Sequence, residues 1–179
     1  MVLGHGAGGT VEAPDLVAVS AVALGAGVSV GLMEQPYRVA GRRSPASAPQ
    51  LDAAWVAVAS RLLQRELRDL PLLVGGRSLG ARVACRTAGL TGASAVVCLA
   101  FPLQPPGRAG SAPRPTRLAE LDGVTVPTLV VQGANDPFGI PPAARRRTVI
   151  EVPGDHSLKR DLPAVAAAVQ SWLADLLPG

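Results

Sequence analysis

Short apolar runs, each bounded by glycine, proline or polar residues, recur along the chain at Met1–Leu3, Val28–Met33, Leu72–Gly75, Ala95–Phe101, Thr128–Val131 and Thr148–Val152. Runs of this length without polar alternation are characteristic of strands buried on both faces. Between them lie stretches of helical character: Pro14–Leu24, Leu51–Arg68, Leu79–Ala88, Pro141–Arg147 and Pro163–Leu177. Strand and helix thus alternate along the whole chain. Parallel strands joined by right-handed crossovers, with helices on both faces, satisfy that order. The pattern predicts an α/β fold, a doubly wound and mostly parallel sheet of about six strands, in one domain spanning 1–179.

Two stretches depart from the rhythm. No residue from Leu16 to Met33 is charged, which reaches the lower limit for a membrane span. Gly25, Gly27 and Gly31 instead divide it into a helix, a turn and a buried strand. The segment from Pro102 to Leu118 holds Pro102, Pro105, Pro106, Pro113 and Pro115. It is expected to form an irregular, lid-like loop at 102–118, with a passive surface linker as the alternative.

Composition narrows the picture. With 48% hydrophobic but only 3% aromatic residues, the core must be built from small aliphatic layers. The net charge of +4 is carried almost entirely by scattered arginines, Lys159 being the sole lysine. That distribution argues against a nucleic-acid surface, and Arg145–Arg147 reads as a solvated cluster or a contact for an acidic partner. Cys85 and Cys98 fit neither a disulfide framework nor a metal motif. Buried thiols suggest a reducing compartment, and the first residues lack a basic signal region, so a cytoplasmic protein is expected.

Acyl transfer by serine needs a hydroxyl, a neutral imidazole to take its proton, a carboxylate to orient that imidazole, and N–H donors for the oxyanion. Two stretches match G-x-S-x-G, Gly27–Gly31 around Ser29 and Gly76–Gly80 around Ser78. Ser29 lies inside an apolar strand with no helix after it. Ser78 follows a strand and opens a helical run, as a nucleophile elbow requires. Of the two histidines, only His156 follows Ser78, and it stands in a turn after the last strand. Asp136, in the turn after Thr128–Val131, is the candidate acid, with Asp155 and Asp161 as rivals. Leu79 supplies one expected oxyanion N–H and the loop Gly4–Gly9 the other, from Ala7 or, next, Gly6. That loop also spells G-x-G-x-x-G after a strand, with Glu34 ending the next one, which keeps a dinucleotide-binding reading open.

Taken together, His5-Gly6-Ala7-Gly8, Gln35-Pro36-Tyr37 with Gly41-Arg42-Arg43, Gly75-Gly76-Arg77-Ser78-Leu79-Gly80, Pro102-Leu103 with Pro105-Pro106-Gly107, Gln132-Gly133 with Asp136-Pro137-Phe138-Gly139, and Asp155-His156-Ser157-Leu158 carry a family resemblance. The chain resembles the dienelactone-hydrolase-like α/β hydrolases, a group whose relatives include subunit 3 of the NSL histone-acetyltransferase complex. The resemblance implies a triad of Ser78, Asp136 and His156, with the His5 loop and Leu79 donating to the oxyanion. It also implies that the chain starts at the third strand of that fold, the two leading strands being absent or lying upstream, which leaves Val28–Met33 at a sheet edge.

The expected activity is hydrolysis of a small ester or thioester through an acyl-Ser78 intermediate, with no metal or cofactor. His5, Tyr37 and Phe138 are expected to contact the substrate, and Arg38, Arg42 and the loop 102–118 to border the pocket. A non-catalytic binding scaffold is the alternative. The nearly uncharged helix at Pro14–Leu24 has no explanation in the sequence.

Overall fold

The computed structural model describes residues 1–104 and 115–177. Its strands are β1 (Val2–Gly4), β2 (Gly31–Met33), β3 (Leu73–Arg77), β4 (Ala95–Leu99), β5 (Thr128–Gly133) and β6 (Arg147–Val152). Its helices are α1 (Pro14–Gly25), α2 (Pro36–Val39), α3 (Ala48–Gln64), α4 (Leu79–Thr91), α5 (Leu118–Asp122) and α6 (Leu162–Leu176). All strand pairs are parallel, in the order β2-β1-β3-β4-β5-β6. The expected edge strand does lie at the edge, though its pairing is confined to Gly31–Met33 against Val2–Gly4.

Alternate residues of each strand point to opposite faces, and two apolar cores result. Val74, Val96, Cys98 and Val130 face α3 and α4, where Leu51, Trp55 and Val83 are buried. Leu73, Val97, Leu99 and Leu129 face α1 and α6. This second layer accounts for the inner side of α1, which packs against α6 and the sheet and buries Leu16, Val19 and Ala23 against a core that includes Val165, Val169 and Leu173, while Val17 and Leu24 on its outer side stay exposed. Among the described residues no helix is long and apolar enough to cross a membrane.

Several boundaries differ from expectation. Helix α3 starts three residues earlier than Leu51, because Ser47 and Gln50 form a capping box ahead of it. It ends at Gln64, and the chain to Leu70 continues in hydrogen-bonded turns with Asp69 at φ +64°. No helix forms at Pro141–Arg147. Instead Ala144 and Arg147 exchange backbone hydrogen bonds (3.0 and 2.9 Å) across a tight turn, and Arg147 joins the sheet opposite Thr128. Its buried guanidinium donates to Pro142 O (2.8 Å) and to Asp122 Oδ1 (3.0 Å), which anchors the strand at that residue. Helices α2 and α5 are too short to show a period in sequence. The central part of the proposed lid loop, 105–114, lies outside the described residues. Its described ends are joined by a hydrogen bond from Arg117 N to Leu103 O (2.7 Å).

Candidate active site

The carboxyl ends of β1, β3, β5 and β6 converge on one edge of the sheet, beside the point where the strand order reverses around β1. Ligands collect at such switch points in open α/β sheets. Ser78 sits between β3 and α4 with φ +51° and ψ −104°, a backbone conformation that a non-glycine residue adopts only where its surroundings enforce it. Its N–H donates to Leu99 O (2.9 Å), and its carbonyl accepts from Arg82 N (3.2 Å). The flanking glycines are needed for a second reason. A Cβ at either Gly76 or Gly80 would land on the carbonyl oxygen of Gly4, so β1 can approach the elbow only because both side chains are absent.

Ser78 Oγ lies 2.9 Å from His156 Nε2, and His156 Nδ1 lies 2.8 Å from Asp136 Oδ2. With Nδ1–H donating to the carboxylate, Nε2 is the nitrogen that can accept the serine proton. Asp136 is fully buried in its side chain and His156 is 19% exposed. The acid is held by further donors: Gln132 Nε2 at 2.7 Å on Oδ2 and Phe138 N at 2.8 Å on Oδ1. The Phe138 ring also lies against the imidazole, with centroids 4.3 Å apart and planes tilted by 50°. The rival acids serve their own turns. Asp155 accepts from Ser157 N and Oγ, and Asp161 caps α6 by accepting from Ala164 N. Ser29 is exposed and precedes β2, at the opposite edge of the sheet.

A cavity of about 370 Å³ opens beside Ser78, and Ala7, Leu79 and Phe138 line it. Leu79 N, at the first position of α4, has no helical carbonyl to meet, and Ala7 belongs to the loop after β1, as an oxyanion pair requires. Gly6 is not in the cavity wall; a Cβ there would meet Arg77 Nη1 at 2.9 Å. A wider hollow of about 530 Å³ between α5 and the start of β6 contains none of these groups.

His5 and Tyr37, expected at the substrate, do not line this cavity. His5 is fully buried: Nδ1–H donates to Gly6 O (2.7 Å) and Nε2 accepts from Gln35 N (3.0 Å). Tyr37 is buried too, and its hydroxyl donates to Ala7 O (2.8 Å). Both brace the loop after β1, because their polar atoms are consumed by backbone groups. The same loop turns twice before α1 opens at Pro14. No helix begins at Gly9, so the geometry of a dinucleotide fingerprint is missing.

Other residues of the site were given no role from the sequence. Arg77 spans the gap between α1 and the histidine loop: Nη2 donates to His156 O (2.9 Å) and Nε lies 3.0 Å from Asp15 Oδ2. Burial raises the Asp15 pKa above the usual carboxylate value, opposed by the charge of Arg77. Gln132, Arg82 and Arg86 were also missed, whereas Arg117 and Pro102, which line the cavity, belong to the loop 102–118 expected to border it. For Arg82 and Arg86 a signal existed, since they follow Ser78 by one and two helical turns and so share its side of α4. Among the described residues no group of three His, Cys, Asp or Glu side chains gathers to hold a metal.

No curated protein sequence matches the chain. Solved structures share its shape at low identity. The α/β serine hydrolase XC6422 of Xanthomonas campestris, described as lacking a lid, is 20% identical, with TM-score 0.72 over 99% of this chain and 83% of that one. Est1E from Butyrivibrio proteoclasticus is 17% identical, with TM-score 0.73 over 97% and 86%. Alpha/beta hydrolase domain-containing protein 10 from mouse is 13% identical, with TM-score 0.66 over 98% and 90%. At these identities the likeness is one of fold. The family model for the alpha/beta hydrolase domain matches residues 1–163, and with nearly the whole chain covered, this protein belongs to the alpha/beta hydrolase domain family.

Proposed function

We propose that the protein is a serine esterase or thioesterase acting through an acyl-Ser78 intermediate. The observation that carries this reading is the chain of contacts from Ser78 Oγ to His156 Nε2 (2.9 Å) and from His156 Nδ1 to Asp136 Oδ2 (2.8 Å). In the first half-reaction Ser78 Oγ attacks the carbonyl carbon while its proton passes to His156 Nε2. The resulting imidazolium lies against the buried Asp136 carboxylate, and the oxyanion faces the N–H groups of Ala7 and Leu79. Collapse of the tetrahedral adduct breaks the bond to the leaving alcohol or thiol, which takes the proton from His156. Water, deprotonated by the same imidazole, then releases the acid and restores Ser78. The net reaction is ester or thioester plus water to carboxylic acid plus alcohol or thiol.

The motif resemblance to dienelactone-hydrolase-like enzymes supports the same chemistry, as do the names of the serine hydrolase and esterase neighbours. The test is covalent labelling. A fluorophosphonate should add to the intact protein with loss of fluoride, giving one adduct by mass, and Ser78→Ala should give none and should lose ester hydrolysis. An unlabelled wild type, or an equally labelled Ser78→Ala, would overturn the assignment.

A further inference from the structure

The cavity beside Ser78 is walled by three arginines whose pairing is unequal. Arg82 gives Nε and Nη2 to the two oxygens of Glu120 (2.9 and 2.5 Å). Arg86 gives the same two nitrogens to Asp52 (2.9 and 2.6 Å), with Nη1 3.4 Å from Glu120. Both are closed bidentate forks that tie α4 to α5 and α3, and their charges are spent within the protein.

Arg117, the residue just ahead of α5, is different. Its Nη1 donates to Pro102 O (2.9 Å), but its Nε–Nη2 edge, the one the other two arginines use, meets no carboxylate among the described residues. The sequence from 105 to 114 contains no Asp or Glu that could supply one. Among the described residues the cluster therefore holds three guanidinium groups against two carboxylates, one positive charge in excess on the wall of the cavity that Ser78 opens into. Arg117 is also half-buried, and burial together with the charge of Arg82 pulls its pKa below the usual arginine value. A cation in that setting is stabilised by an anion that enters the cavity.

Resting on the reading of Ser78 as nucleophile, we propose that the substrate is an ester or thioester carrying a carboxylate, and that the Nε–Nη2 edge of Arg117 binds it. A carboxylate matches that edge in shape and the excess in charge. A phosphate dianion would overshoot the single positive charge.

The experiment uses the full chain and two matched ester pairs. One pair, the p-nitrophenyl monoester of glutarate and p-nitrophenyl pentanoate, places the anion on the acyl side. The other, 4-carboxyphenyl pentanoate and phenyl pentanoate, places it on the leaving-group side. In at least one pair kcat/KM should favour the anionic member by about 10- to 100-fold, the range of one charge-assisted hydrogen-bonded contact. Arg117→Gln should bring that ratio close to one, and Arg117→Lys should recover part of it. A wild type that prefers the neutral ester in both pairs overturns the proposal whether or not Arg117→Gln folds, and so does a preference that survives Arg117→Gln. The parent reading fails separately: a protein that cleaves none of the four esters and takes no fluorophosphonate on Ser78 refutes the nucleophile and this proposal with it. Labelling of Ser78 with no anionic preference refutes this proposal alone.

Discussion

Replacing Arg77 with methionine removes the one cation that, among the described residues, pairs with Asp15, a carboxylate whose side chain is 1% exposed. Its Oδ1 would keep the Leu16 N–H at 3.0 Å, while Oδ2 would lose its charged neighbour. Breaking a buried pair from one side costs about 3–5 kcal/mol, because the other charge is left stranded. Arg77 itself is 18% exposed, so water can reach part of the gap, and the lower end, about 3 kcal/mol, is expected. Asp15→Asn removes the charge and keeps a polar group, so its cost should be about 1–2 kcal/mol. In the double variant no charge is stranded, and its deficit should fall short of the summed single deficits by about 2 kcal/mol.

Acidification separates the two single variants further. Burial raises the Asp15 pKa in the folded protein. The folded state therefore takes up a proton more readily than the unfolded chain, and ionised Asp15 costs stability at any pH above its folded pKa. Without Arg77 that pKa rises further. As pH drops from the variant's folded value toward the lower, though still raised, wild-type value, the Arg77→Met deficit should shrink by up to about 1.4 kcal/mol per pH unit. Urea unfolding at pH 7 and pH 5, followed by circular dichroism, measures both effects. Equal deficits for Arg77→Met and Asp15→Asn, or a deficit of Arg77→Met unchanged with pH, would refute the picture of a buried carboxylate dependent on Arg77.

The other expectations are more direct. Asp136→Asn should fold but lose about 10⁴-fold in kcat toward an activated ester, since an amide cannot hold the His156 tautomer that accepts from Ser78; retention of more than a tenth of the wild-type rate would exclude Asp136 as the orienting acid. Gly80→Ala should destabilise by at least about 3 kcal/mol, because its Cβ would land on the Gly4 carbonyl and force β1 away from the elbow; an unchanged melting temperature would contradict that close approach. Cys85 lies 3.4 Å from Cys98, and that contact and then burial push its thiol pKa well up. Neither thiol should react with a thiol-specific disulfide reagent until the protein is unfolded, and fast labelling of the native protein would show that this layer opens.

Much of the fold could be read from the chain because strands buried on both faces must be apolar throughout and the turns between them need glycine or proline. The failures have local causes. Pro141–Arg147 has helical composition, yet the pairing of Arg147 with Thr128 and its bonds to Pro142 and Asp122 prevail over propensity. Helices α2 and α5, of four and five residues, are shorter than the window in which a period can be seen. Ser78, Asp136 and His156 stood out because histidine is scarce and their order along the chain is restricted. His5 and Tyr37 looked equally suited to a ligand, and nothing in their neighbours reveals that Gln35 and Ala7 consume their polar atoms.

By itself the sequence determined the alternation of elements, the parallel sheet, and the three side chains that meet at its carboxyl edge, since each depends on residue type and local spacing. Only the tertiary structure decided which groups support them: Arg77 between Asp15 and His156, Gln132 under Asp136, and Arg117 with no carboxylate partner among the described residues beside two closed arginine forks. Those relations join residues from different elements whose distances are set by how helices and strands pack. Hydrogen bonding and ion pairing act over about 3 Å, and no pattern along the chain reports a separation of that size between elements.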